Sequence, residues 1–239
     1  LTPYPQAWEL QERLAAQIGR AERPATLLLL EHPPVYTFGR RGDIKNLLWD
    51  EQELARRGVS VLWVDRGGDV TFHGPGQLVG YPLLPLAPGG LYAGQKDIDG
   101  GSSKRLPQAD YVGYIRKLEQ MLILALGCLG VTSVRLPGLT GVWTPSGERA
   151  PAAKIAAIGV KVDARGVSRH GFALNVDMDM SYWQGIIGCG LKDHPVTSLA
   201  EQCSSPPPME QVIQAVVSAF GEVFGYEMVD GFEGFQEVN

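Results

Sequence analysis

The sequence predicts an α+β (α/β) fold, a mixed sheet with flanking helices. Three observations carry the prediction: amphipathic helical segments at both ends and in the middle of the chain, short apolar or alternating runs between them, and a hairpin pattern in the C-terminal half. With 239 residues, 44% of them hydrophobic and 20% charged, the composition suits one substantial core, and a single domain over 1–239 is expected.

The first helix is read in "PQAWELQERLAAQIGRAERP", where Leu10, Leu14 and Ile18 recur at helical spacing and Gly19 and Pro24 close the segment. "ATLLLLEHPP" follows as a continuous apolar run ended by two prolines, the pattern of a strand buried on both faces. "SVLWVDR" reads as a second such strand and "GQLVGYPLLPL" as a third. The stretch from Leu86 to Gln108 is rich in Gly, Ser and charge with neither period, and is expected to be a long mobile loop.

Asp110 is placed to cap a helix with Tyr111, Ile115, Leu118, Leu122, Ala125 and Leu129 on its apolar stripe; Cys128, beside that stripe, is expected to be a buried, inert thiol. Ile158, Val160 and Val162 alternate before a turn at Asp163 to Gly166, and Phe172, Leu174 and Val176 alternate after it. Setting Val162 opposite Val167 puts Gly159 opposite His170, Ala157 opposite Phe172 and Lys154 opposite Asn175, with a one-residue slip as the alternative. A final helix carries Val212, Val216 and Phe220, flanked by Ile213, Val217 and Phe224.

The formal net charge of −5 argues against a protein that coats nucleic acid, so an acidic partner must meet a local basic patch. Arg40, Arg41, Arg66 and Arg169 are candidates for such a rim. Three cysteines, Cys128, Cys189 and Cys203, cannot all pair, and no stretch approaches the roughly 18 apolar residues of a membrane span. No signal-type run follows Leu1, and a reduced, cytoplasmic protein is expected.

Three sites could carry chemistry. "DRGGDVTFHGPGQ", Asp65 to Gln77, surrounds Arg66, Thr71, His73 and Gln77 with glycines that allow tight turns and close approach of a ligand to backbone amides. It is neither a Walker loop nor a G-x-G-x-x-G fingerprint, so nucleotide binding has no support there; a plain glycine-rich turn, with His73 packed for structural reasons, is the competing reading. Lys154 heads an apolar strand, either as a surface residue or as a partly desolvated ammonium near a reacting group. In "GIIGCGLKDHP", Cys189 sits between glycines; a structural zinc site with His194 and Cys203 lacks a fourth ligand and the short paired spacing such sites use.

Together "RGGDVTFHGPGQ", "GVW" (Gly141 to Trp143), "KIAAIGV", "HGFALNV", and "CGL" followed by "VTSL" resemble the octanoyl-(acyl-carrier-protein):protein octanoyltransferases, also called the lipoate-protein ligase B family, in order from about Pro33 to Leu199. The resemblance implies the fold of biotin and lipoate ligase catalytic domains and no cofactor. It implies transfer of an octanoyl group from octanoyl-acyl carrier protein to a lysine of lipoyl domains, those of 2-oxoacid dehydrogenase complexes and the glycine cleavage H protein. It further implies Cys189 as the acyl-thioester nucleophile and Lys154 as the group that lowers its pKa. Substrate contacts would fall on Arg66, Gly67, Gly68, Asp69, Val70, Thr71, Phe72 and His73, on Ala157, Ile158 and Gly159, and on His170, Gly171 and Phe172. The chain departs from the family in having Gly188 where a proline usually precedes the cysteine, and in the length of the Leu86 to Gln108 segment.

Such chemistry suits these residues. Small neighbours let a thioester carbonyl come within about 3.5 Å of the sulfur and leave amides such as that of Gly190 open to the developing oxyanion. Lys154 is expected to act first as the cation that favours the thiolate and then as the base for the incoming amine. Three rivals remain: an ATP-dependent lipoate or biotin ligase, which has no use for Cys189; a cysteine hydrolase pairing Cys189 with His170 or His194; and a non-catalytic carrier-binding module.

Overall fold

The structure, a computed structural model, describes residues 1–86, 110–147, 150–188 and 194–230. Its strands are β1 (Thr26–Leu30), β2 (Val35–Phe38), β3 (Ser60–Trp63), β4 (Val70–His73), β5 (Gln77–Leu83), β6 (Val142–Thr144), β7 (Ala153–Val162) and β8 (Ser168–Asn175). The α-helices are α1 (Tyr4–Gly19), α2 (Glu51–Arg57), α3 (Tyr111–Cys128), α4 (Leu199–Gln202) and α5 (Met209–Phe224). Five strands pair in the order β1-β5-β8-β7-β6, all antiparallel, and three form a smaller sheet in the order β3-β2-β4. Among the described strands, mixed pairing occurs in the smaller sheet, where β2 runs parallel to β3 and antiparallel to β4; an isolated parallel bridge also joins Lys154 to Val196.

The helices bury their apolar stripes on both faces of the larger sheet. Leu10, Leu14 and Ile18 of α1 pack with Val79, Tyr81 and Ala173 on one face. Leu118 and Leu122 of α3 and Val212, Val216 and Phe220 of α5 pack with Leu78, Phe172 and Leu174 on the other. Asp110 caps α3 as expected, its carboxylate accepting from the Gly113 amide at 2.7 Å. The buried stripe of α3 is rotated toward Tyr114, Met121 and Leu126, leaving Tyr111 45% exposed. Cys128 is exposed, contrary to expectation: the last turn of α3 still buries Ala125 and Leu126, and Cys128 lies with Gly127 on its solvent side.

Two strands read as doubly buried are sheet edges. In β1 only Leu28 is buried, and in β3 Trp63 is 56% exposed. A continuous apolar run records hydrophobicity but not sheet position, which neighbouring strands decide. The third strand, β5, is buried throughout. Helix α2 carries a sound N-cap, with the Asp50 side chain accepting from the Glu53 amide at 2.9 Å, and ends at Gly58 in the left-handed region. It buries little beyond Leu54, so it leaves almost no apolar period to read.

The β7–β8 hairpin slips by one residue from the first expected register. Val162 pairs with Ser168, Gly159 with Gly171 and Ala157 with Ala173. The turn holds an extra residue: Gly166 adopts φ 77°, its amide bonds to the Asp163 carbonyl, and the Asp163 amide bonds to the Val167 carbonyl. The slip aligns Ala157, Gly159, Gly171 and Ala173 on one face, so small residues pave the sheet there. Of the Leu86 to Gln108 segment only Leu86, which is buried, lies within the described residues. Among the described residues no helix is long and apolar enough to cross a membrane.

Candidate functional site

The paved face is the floor of a narrow cleft. Ala157, Ile158, Gly159, Gly171, Phe172 and Ala173 line it from β7 and β8, and Val79 and Tyr81 from β5. The glycine-rich turn and β4 supply Arg66, Gly67, Gly68, Thr71 and His73 opposite, and Tyr4 of α1 and His170 complete the wall. At Gly159 a Cβ would lie 3.0 Å from the Gly67 carbonyl oxygen, a tight contact that would press the glycine-rich turn outward. Gly171 is required because its Cβ would lie 2.1 Å from the Gly80 carbonyl oxygen.

Three expected contacts do not line this cleft. Val70 and Phe72 point the other way along β4, into the core of the smaller sheet with Tyr36 and Phe38. The Asp69 carboxylate accepts from the Asp43 amide at 3.1 Å and from Asn46 Nδ2. The Asn46 carbonyl in turn accepts from the Ile187 amide at 2.8 Å, and Leu48 N–H bonds to the Gly185 carbonyl at 2.8 Å. Asp69 thus braces the strap that holds residues 185–187, the approach to Gly188.

Arg66, His73 and His170 on the polar wall are held from within the protein. Arg66 donates to the Thr37 carbonyl and hydroxyl and to the Gly67 carbonyl, pinning its own turn against β2. His73 Nδ1 lies 2.8 Å from Gln77 Oε1 and its Nε2 3.3 Å from Thr37 Oγ1. Gln77 continues through Asn175, whose Nδ2 donates to the Thr197 carbonyl. His170 takes φ 56°, and its Nε2 lies 2.7 Å from Asp65 Oδ1 and its Nδ1 3.3 Å from the Tyr4 hydroxyl. Burial holds both imidazoles below their usual range, His73 far below. Neutral His170 then donates Nε2–H to Asp65 and accepts the Tyr4 O–H. Burial raises the Asp65 pKa, but hydrogen bonds from His170 and Lys161 outweigh it and leave the carboxyl below its usual range. Burial likewise lifts the Tyr4 phenol to about 12, so it stays protonated.

The expected basic rim shrinks for the same reason. Arg169 is buried and bonded to Glu12 and Asp65, and Arg66 is buried on Thr37, which leaves Arg40 and Arg41 exposed.

A second, smaller cleft shares Thr71 and Ala157 with the first. Its walls are Trp143, Lys154, Trp183, Gly188, His194 and Val196. Lys154 is not the surface residue its place at a strand end suggested: it is 7% exposed, with Nζ 4.7 Å from the Trp143 ring centroid. Its amide donates to the Pro195 carbonyl at 2.8 Å and its carbonyl accepts from the Thr197 amide at 2.9 Å, zipping the start of β7 to residues 195–197. Cys189 lies outside the described residues, and so does the zinc reading that depends on it. Gly188 and His194, which flank the 189–193 stretch, both border the cleft of Lys154.

Sequence reasoning does not single out Tyr4, Val79, Tyr81, Ala173 and Trp183, and it marks Trp143 only as the end of the GVW motif. The alternation of Val79 and Tyr81 on β5 and of Gly171 and Ala173 on β8 was a usable signal; nothing local marks Tyr4 or Trp183.

Residues 3–221 match the family described as the lipoyl protein ligase A/B catalytic domain. The octanoyltransferase of Chloroflexus aurantiacus is 43% identical over 224 residues, covering 94% of this chain and 91% of the relative. That of Rubrobacter xylanophilus is 44% identical over 226 residues, covering 94% and 90%. Among solved structures, a lipoate-protein ligase A bound with ATP superposes with a TM-score of 0.65 at 13% identity, covering 93% of this chain and 83% of that one. The bipartite lipoate protein ligase of Thermoplasma acidophilum gives 0.64 at 15% identity, covering 93% and 82%, and these two likenesses speak for the fold alone. The chain therefore belongs to the lipoyl protein ligase A/B catalytic-domain family, within its octanoyltransferases.

Proposed function

We propose that this octanoyltransferase takes its octanoyl group from octanoyl-acyl carrier protein, holds it as a thioester on Cys189, and passes it to a lysine of a lipoyl domain. The observation that supports this most is the juxtaposition at Lys154. Its buried side chain borders the same small cleft as Gly188 and His194, and that cleft adjoins a larger one floored by small apolar residues.

In this reading the acyl chain lies along Ala157, Gly159 and Ala173, with its carbonyl toward Lys154. The Cys189 thiolate, favoured by the Lys154 ammonium, adds to the carbonyl carbon; the donor's C–S bond breaks, and the departing thiolate takes a proton from Lys154. The acceptor amine then attacks the new thioester, the neutral Lys154 amine removes its proton, and the Cys189 thiolate leaves as the amide forms. Both thioesters are already activated, so no nucleotide enters the cycle.

The test is incubation with octanoyl-acyl carrier protein, without acceptor or ATP, followed by intact mass before and after a thioester-cleaving amine. The expected result is an octanoyl adduct that the amine removes, that is absent in Cys189→Ala and that forms slowly in Lys154→Ala. Free octanoate without an adduct would point to a hydrolase, and reaction only with ATP to a ligase.

A further inference from the structure

Buried polar side chains in folded proteins nearly always find a hydrogen-bond partner. Among the described residues, three of the buried side-chain polar atoms that lack one are Thr71 Oγ1, Trp143 Nε1 and Trp183 Nε1, and all three residues line the small cleft of Lys154. The neighbours of Thr71 do not share this property. Its cross-strand partner Thr37 is engaged by Arg66 and sits beside His73 Nε2, and His73, two residues along β4, is held by Gln77. Thr71 itself is 6% exposed and borders both clefts, at the junction where an acyl chain lying in the larger one would present its carbonyl to Lys154.

The chemistry of these groups selects the ligand atom. An indole N–H and an ammonium only donate, and a threonine hydroxyl beside them is free to donate. A seat made of donors fits an acceptor-only oxygen, as in a thioester carbonyl, and fits it better as negative charge develops there.

We propose that the Thr71 hydroxyl donates a hydrogen bond to the acyl carbonyl oxygen and stabilises the oxyanion formed in each half of the transfer. This rests on the thioester reading above. When the thiolate adds to the carbonyl carbon, a C–S bond forms and the C=O π pair moves onto oxygen, where Thr71 meets it. When that pair returns to remake the carbonyl, the donor's C–S bond breaks and its thiolate departs. Thr71 exchanges no proton and needs no co-reactant.

The experiment compares wild type, Thr71→Val and Thr71→Ser in single-turnover formation of the acyl-enzyme from octanoyl-acyl carrier protein, with thermal unfolding of each. Loss of one oxyanion donor predicts acylation about 100-fold slower in Thr71→Val, with KM little changed and most of the loss recovered in Thr71→Ser. Thr71→Val should melt no lower than wild type, because among the described residues the hydroxyl makes no bond that the substitution would break. A wild-type adduct together with an unaffected Thr71→Val rate overturns this assignment alone. Equal rate losses in both variants, tracking a lower melting temperature, overturn it in favour of packing. If wild type forms no acyl-enzyme, the thioester reading fails and this assignment falls with it.

Discussion

Replacing Ala173 with valine tests whether the space over β8 receives the acyl chain. Ala173 is 3% exposed, lines the cleft, and pairs with Ala157 on β7 and Val79 on β5. Valine adds two carbons on the floor and suits strand backbone. If the octanoyl chain lies there, two of its methylenes lose their contact; at about 0.8 kcal/mol each this is about 1.6 kcal/mol, or about 15-fold in kcat/KM. A hexanoyl chain, two carbons shorter, should keep most of its rate, so the octanoyl-to-hexanoyl preference falls by that factor. The assay is acyl-enzyme formation from carrier protein loaded with each chain, followed by mass, with the unfolding free energy measured alongside. An unchanged chain-length ratio accompanied by a loss of about 1–3 kcal/mol in stability would refute the reasoning, because overpacking would then show that Ala173 faces only the α1 side of the core.

Stability should depend on pH through the buried histidines. Burial holds His32, His73 and His170 below the usual imidazole range, so the unfolded chain binds protons that the folded one refuses. Their contribution is therefore full above about pH 6.5 and lost as pH falls toward the folded values; His32, lowered to about 4, accounts for about 3 kcal/mol of that loss. Imidazole NMR titrations with ordinary midpoints near 6.5 in the folded protein would sink this. If the proposed donor, an acidic carrier protein, docks on this rim, charge reversal of exposed Arg40 and Arg41 should slow transfer at low ionic strength and converge on wild type at high salt. A defect independent of salt would remove the rim from the account.

Much of this protein was legible because local rules and global fold agree. The stripes of α1 and α5, the Asp110 cap, the buried run of β5 and the hairpin around Gly166 follow from period, capping and turn chemistry that act within a few residues. The motifs at Arg66 to His73, Lys154 to Gly159 and His170 to Phe172 named the family, and the cleft gathers most of them. Where the reading failed, distance in the chain was the reason. Edge position of β1 and β3 depends on which strands arrive beside them, and the register of β7 against β8 turned on one extra residue in left-handed backbone.

The sequence by itself determined the family, the α+β class and the residue types available for acyl transfer, since these reside in patterns the chain carries along its length. Only the tertiary structure decided what each side chain does with its charge and hydrogen bonds. It turned Arg66 and Arg169 inward onto Thr37 and Asp65, set Asp69 to brace the strap before Gly188, buried Lys154 against Trp143, and left the Thr71 hydroxyl beside it without a partner among the described residues. Those outcomes are settled by contacts between residues tens of positions apart, and a buried polar group's role is set by the partners the fold brings to it or withholds.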